Sequence, residues 1–179
     1  MKSFNQRTRV NIIFDTTAQI MLDSDGFCGV RIINRNGSEM VDNDGFEWVP
    51  SCVSFRRATP VVGYVAHNDA KSNPKSVIFG IFDMFGKRYS QLMIPSQWNF
   101  DIIPTANDRF VFDVATRHVT PEEVLSIIMQ EMKQILLSLA EKDIPIEIKT
   151  NFSLSEKQKT ILNEICTSID LPIQGFVFE

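Results

Sequence analysis

The sequence predicts a mixed α/β layer protein with a smaller α/β lobe inserted in its middle. Three observations point there: the first third reads as strands joined by turn signals, the last third alternates helix with strand, and the stretch between changes character. Residues 1–40 and 117–179 are expected to build the core, and residues 41–116 the inserted lobe. Composition permits this. A chain of 179 residues, 44% hydrophobic and 22% charged, suits one domain or two small lobes. At that length roughly 70% of the unfolded chain's surface can be buried without disulfides or metals.

Val10-Asn11-Ile12-Ile13-Phe14 is an apolar run suited to a strand buried on both faces. Thr16-Thr17 reads as a tight turn, Gln19 to Asp23 as an alternating strand, and Asp25-Gly26 as a hairpin turn. Cys28 to Ile33 then completes a three-stranded meander, which Asn36-Gly37 ends. The middle holds Trp48, Trp98 and most of the prolines. Ser51 to Phe55 reads as a strand. Asn73-Pro74 is a helix start, because Asn caps and Pro tolerates the first helical position; Val77, Ile78, Ile81, Phe82 and Phe85 would share that helix's buried face up to Gly86-Lys87-Arg88. Ile102-Ile103 and Phe110 to Val114, around Asn107-Asp108, predict a second hairpin.

Thr120-Pro121-Glu122-Glu123 is a capping box whose acids complement the helix dipole. Val124, Ile127, Ile128, Met132, Ile135, Leu136 and Leu139 follow at helical spacing as an apolar stripe. Ile144 to Ile148 is a short strand. Ser153 with Glu156 predicts a second capping box, ahead of a helix whose apolar face is Leu162, Ile165, Cys166 and Ile169. After Pro172, Ile173 to Phe178 is a final strand. Strands separated by helices must pair in parallel through right-handed crossovers.

Several function classes are disfavoured. A net charge of −4 (18 basic against 22 acidic side chains) opposes nucleic-acid binding, which needs a basic surface. No apolar run approaches the ~20 residues of a membrane span. Met1 to Val10 is polar, with Lys2, Arg7 and Arg9 and no apolar segment behind it, so no signal peptide is expected. Cys28, Cys52 and Cys166 make neither a disulfide framework nor a zinc pattern; they read as small core residues in a cytoplasmic, reducing setting. His67 and His118 read as surface or half-buried residues, and no metal site is expected.

The order of elements, and several strings within it, resemble a known family. Val49-Pro50-Ser51-Cys52-Val53-Ser54-Phe55 is similar to a "TPS-V-F" strand, and Val62-Gly63 through Ala66 to Asn73-Pro74 to a "VG–A–NP" segment. Thr120-Pro121-Glu122-Glu123-Val124 with Met132-Lys133 is similar to a "PEE…MK" helix, and Phe152-Ser153 through Gln158-Lys159 to the "F-N-D-S-Q-R" stretch after a "VPAYF" strand. These are strings of the seventy-kilodalton heat-shock chaperone family, in order, from about residue 10 to residue 179. The resemblance implies the ribonuclease H-like, actin-like ATPase fold, and only its first lobe.

The departures shape the expected function. The family's first phosphate loop reads "G-I-D-L-G-T-T". Set against Asn11-Ile12-Ile13-Phe14-Asp15-Thr16-Thr17, its aspartate falls on Ile13 and its loop glycine on Asp15, a carboxylate that repels phosphate. Thr16 and Thr17 alone match, as residual nucleotide-binding residues, although a plain turn is the simpler explanation of them. The family's catalytic lysine falls on Phe82, and the proline of "VPAYF" on Lys149. No catalytic residue is therefore expected.

The expected function is a non-catalytic heat-shock-70-like module with a protein-interaction or chaperone-related role. No cofactor is expected, and a protein partner or self-association would cover the face left open by the absent second lobe. The alternative is a weak ATP-binding ATPase fragment, using ATP or ADP with magnesium and needing a second lobe in trans. A fragment with no dedicated role would share the same sequence features.

Overall fold

The computed structural model of the chain describes residues 16–114, 117–138 and 144–179. The first elements are β1 (Thr16–Leu22), β2 (Phe27–Asn34), β3 (Gly37–Met40), β4 (Val49–Pro50), β5 (Val53–Ser54) and β6 (Val61–Val62). Then come α1 (Tyr64–Asp69), β7 (Val77–Ile78), β8 (Asp101–Thr105), β9 (Arg109–Val114) and β10 (Arg117–Val119). The chain closes with α2 (Pro121–Ser138), β11 (Ile146–Thr150), α3 (Glu156–Ser168) and β12 (Gly175–Phe178).

The main sheet runs β12-β11-β1-β2-β3, with β4 added beside β2. β1, β2 and β3 pair antiparallel, as hairpin neighbours must, whereas β1, β11 and β12 pair in parallel. β1 lies at the centre, which is why Ala18 to Leu22 is buried on both faces. Ala18, Ile20 and Leu22 share one pleat face with Cys28, Val30 and Ile148, and this face belongs to the main core together with residues of α2 and α3. The middle of the chain forms two further three-stranded sheets, β10-β9-β8 and β6-β5-β7. Both feed the same hydrophobic cluster as the main sheet, through Phe110, Phe112, Val53 and Ile78.

Several elements sit differently from the sequence reading. Thr16-Thr17 is not a turn; the two residues open β1, opposite Asn34 and Ile33. The meander is accordingly β1, β2 and β3, and Asn36 lies in the turn between β2 and β3. The strand expected at Val10 to Phe14 lies outside the described residues. The helix expected from Asn73 is absent as well. Pro74–Ser76 and Ile81–Asp83 are single 3₁₀ turns, and Val77–Ile78 between them pairs with β5 as a strand. Gly80, at φ 72°, sits in the left-handed region and halts any helix there. Val77, Ile78, Ile81, Phe82 and Phe85 are nevertheless all buried, so the pattern marked core rather than helix.

α2 follows the expected stripe and is broader, burying Leu125 and Met129 too; Leu139 lies outside the described residues. Thr120 caps it, its Oγ1 accepting from the Glu123 N–H at 3.1 Å. The second capping box is two residues later than expected: Ser155 Oγ accepts from Gln158 N–H, and Gln158 Oε1 from Ser155 N–H.

Asp69, at the end of α1, ties that helix to β5 and the segment after it. Its carboxylate accepts from Ser54 Oγ at 2.8 Å, from the Arg57 guanidinium, and from Arg56 at 3.4 Å. The Arg57 hydrogen bond, then that from Ser54, hold its carboxyl below the usual carboxylate range. A depressed folded pKa supplies stability that is complete above the unfolded value of about 3.9, and that is lost as pH falls through the folded one. Asp69→Asn is expected to lower stability at neutral pH and to flatten the decline toward acid, measured by urea unfolding at successive pH values. An unchanged acid limb in the variant would show that Asp69 does not set it.

Candidate functional site

Ligands of open α/β sheets bind beyond the carboxyl ends of the parallel strands, where loops and free main-chain groups converge. Here that edge is formed by the residues after Leu22, Thr150 and Phe178. β1 runs directly into Asp23-Ser24-Asp25-Gly26. Gly26 N–H returns to Asp23 C=O at 3.0 Å, with Gly26 at φ 84°, a conformation that glycine adopts without strain. Asp23 Oδ1 accepts from the Asp25 N–H at 2.7 Å, and its Oδ2 from Asn151 Nδ2 at 2.9 Å. Asn151 Oδ1 in turn accepts from Ser24 N–H at 2.8 Å. The amide thus clamps the turn after β1 to the turn after β11.

Next along the edge stand Lys149 and Glu179. Lys149 Nζ lies 2.8 Å from Glu179 Oε1, and this contact, assisted by Arg31, depresses the Glu179 carboxyl. The cation is therefore already partnered. On the other side of Asn151, the Phe152 ring stacks against Phe82 with centroids 5.9 Å apart and planes 25° apart. Phe82 is 6% exposed. Gly86 brings the same segment against α3, where Gln158 Nε2 donates to Phe85 C=O at 3.3 Å. The edge thus carries the carboxylates Asp23, Asp25 and Glu179, the paired ammonium of Lys149 and a hydrocarbon wall.

Thr16 and Thr17 stand at the opposite end of β1, about 20 Å from this turn at ~3.3 Å per strand residue. Asp15 and Ile13 lie outside the described residues. The turn residues Asp23 and Asp25, with Asn151, went unnoticed as site residues in the sequence. A signal was available: Ile20-Met21-Leu22-Asp23 is an apolar strand followed directly by aspartate, the pattern of the family loop, whereas the paired threonines drew attention ten residues upstream, to Ile13 rather than Asp23.

The three thiols, the candidate nucleophiles of the sequence, are all buried. Burial pushes Cys52 up to about 11 and Cys166 to about 12, and raises Cys28 further still. Cys28 and Cys52 donate to the carbonyls of Val49 and Gly63. His67 and His118 are exposed. Among the described residues no group of three or more His, Cys, Asp or Glu could hold a metal ion, and no helix is long and apolar enough to cross a membrane.

Comparison with known proteins gives concordant matches. Residues 26–151 match the family model described as Hsp70 protein. Heat shock cognate 70 kDa protein 3 of Dictyostelium discoideum is 27% identical over 134 residues, covering 68% of this chain and 21% of that protein. Heat shock 70 kDa proteins of Emericella nidulans and Neurospora crassa are 24% and 25% identical over 141 residues, covering 73% of this chain and 22% of each relative. The chain thus spans about a fifth of the length of these relatives. The mixed sheet with its parallel carboxyl edge is that of an actin-like ATPase lobe. With well over half of its residues matching the family model, this chain belongs to the Hsp70 family.

Proposed function

We propose that this chain is a non-catalytic Hsp70-type module, in a chaperone-related role exercised through protein contacts and without ATP hydrolysis. The observation that carries the reading is the Phe82–Phe152 stack beside the Asp23 turn. By the resemblance, the family's catalytic lysine would fall on Phe82. Phosphoryl transfer depends on cations that offset charge developing on the transferred group. A ring pair, Phe82 buried and Phe152 half-buried, offers none.

The turn supports the same reading once it, rather than Asn11 to Thr17, is set against the family loop. Asp23 then takes the aspartate's place, so Ile13 no longer bears on catalysis. Asp25 takes the place of the loop glycine, and Gly26 and Phe27 those of the two threonines. A carboxylate thus stands where main-chain N–H groups would approach phosphate, and two hydroxyls are missing. Lys149, the nearby ammonium, is held by Glu179. These residues do not fit a magnesium–triphosphate group.

ATP binding completed by a second lobe has one feature in its favour, the aspartate directly after β1. Both of its oxygens, however, already accept hydrogen bonds within the clamp. Isothermal titration of the folded chain with ATP and magnesium tests the choice. No heat of binding is expected up to about 1 mM nucleotide, which corresponds to an affinity weaker than about −4 kcal/mol. Saturable binding in the micromolar range would overturn the proposal.

A further inference from the structure

We infer that the cleft beside the Asp23–Gly26 turn binds a basic segment of a partner protein, with a lysine or arginine side chain held between Asp25 and Asp83 over an aromatic floor. The cleft opens between the turn, α1 and the segment around Trp98, with a volume of about 610 Å³. That is within the range of about 300–1,000 Å³ typical of ligand sites. The inference deepens the interaction reading above and rests on it for the kind of partner.

The lining is one-sided in charge. Asp25 and Asp83 both contribute to it, and no lysine or arginine does. Neither carboxylate makes an ion pair or a side-chain hydrogen bond among the described residues, in contrast with Asp23, Asp69 and Asp108, whose carboxylates are all engaged. Two solvated carboxylates at one cleft create a field that attracts cations and repels phosphate or acidic peptides.

The apolar part of the lining suits the same occupant. Phe27 and Tyr64 line the cleft while remaining 37% exposed, and the Phe46 ring lies 4.1 Å from that of Tyr64, extending the apolar rim. Trp98 is fixed in place. It stacks on Phe100 at 5.6 Å and lies so close over Gly80 that a Cβ there would come within 3.0 Å of the indole. Rigid aromatic faces beside carboxylates bind alkyl-ammonium and guanidinium groups, by cation–π attraction and by packing of the side-chain stem. An uncharged apolar ligand would use the rings and leave both carboxylates facing hydrocarbon, an arrangement that opposes it.

The chain has two tryptophans, so Trp48→Phe leaves Trp98 as a fluorescent reporter inside the cleft. The probes are a blocked peptide alternating arginine with leucine, the same peptide with citrulline for arginine, and the same with glutamate. The arginine peptide is expected to shift Trp98 emission saturably at about 50 mM salt and to bind several-fold more weakly at about 500 mM, where charges are screened within a few ångströms. Asp25→Asn with Asp83→Asn is expected to weaken it at least about tenfold, the effect of losing charge-assisted contacts. Calorimetry on the unsubstituted chain should give the same ranking of peptides.

Equal binding of the citrulline peptide, preference for the glutamate peptide, or no saturation by about 1 mM arginine peptide would each overturn the inference. Failure here with a silent ATP titration ends the inference and leaves the non-catalytic reading standing. Heat with ATP ends that reading whatever the peptides do.

Discussion

Replacing Phe112 with alanine is expected to remove about 3–5 kcal/mol of folding stability, the range for truncating a fully buried aromatic side chain. Domains of this kind are stable by only about 5–15 kcal/mol, so the variant should sit near the edge of unfolding at 25 °C. Phe112 is fully buried in β9, the middle strand of its sheet, opposite Ile102 on one side and Val119 on the other. Its ring meets Phe100 edge-on at 5.5 Å and Phe110 at 5.7 Å, and Phe100 continues to Phe79 and Trp98. Each such pair adds about 0.5–1.5 kcal/mol beyond the buried area. A cavity at this node loosens the whole aromatic chain. Urea unfolding checks this, with Phe112→Leu as a milder control. A loss under about 1 kcal/mol with an unchanged slope would show that the ring is not packed as described.

Phe82→Lys, which puts a lysine where the proposed reading sets the family's, is expected to lose about 3 kcal/mol of stability and gain no ATP turnover. The stability loss follows from breaking the stack on Phe152 and placing an ammonium in a site only 6% exposed. The absence of turnover follows from what the substitution leaves unchanged: Asp25 in the turn, Gly26 and Phe27 without hydroxyls, and Lys149 bound to Glu179. Phe82→Leu separates the two effects, since it keeps the hydrocarbon and should be milder than lysine. Phosphate release by the lysine variant above a heat-treated blank would mean that one residue alone had silenced the site.

Elements governed by local physics were legible in the sequence. α2 announced itself through Thr120, Pro121 and a stripe at helical spacing, and Asp25-Gly26 marked its hairpin. The pair Asn107-Asp108 marked the second hairpin, where both residues adopt positive φ. Elements decided by tertiary contact were not. Val77 to Phe85 has a helical pattern of apolar residues, but Gly80 turns left-handed under the Trp98 indole, and β5 claims Val77 and Ile78 as a strand. α1 buries Ala66 alone of its apolar residues and is fixed by Asp69 reaching Ser54, Arg56 and Arg57, a contact no periodicity reveals.

The site was half legible for the same reason. Phe82 is reached in the sequence by the resemblance alone, through spacing along one motif. Asp23, Asp25 and Asn151 required knowing that the strand after Thr16 is the one lying against β11, and that pairing joins segments far apart in sequence.

The Gln19–Glu147 hydrogen bond between β1 and β11 spans 128 residues. At translation rates of about 5–20 residues per second, β1 leaves the ribosome roughly 6–25 s before its parallel neighbour β11 exists. During that interval the emerging hairpin presents an apolar, unpaired edge, the kind of surface that recruits holdases and seeds misassembly. Slowing elongation after Ser138 is therefore expected to lower the soluble yield more than slowing it before Thr16, since only the first lengthens the time that β1 waits for β11.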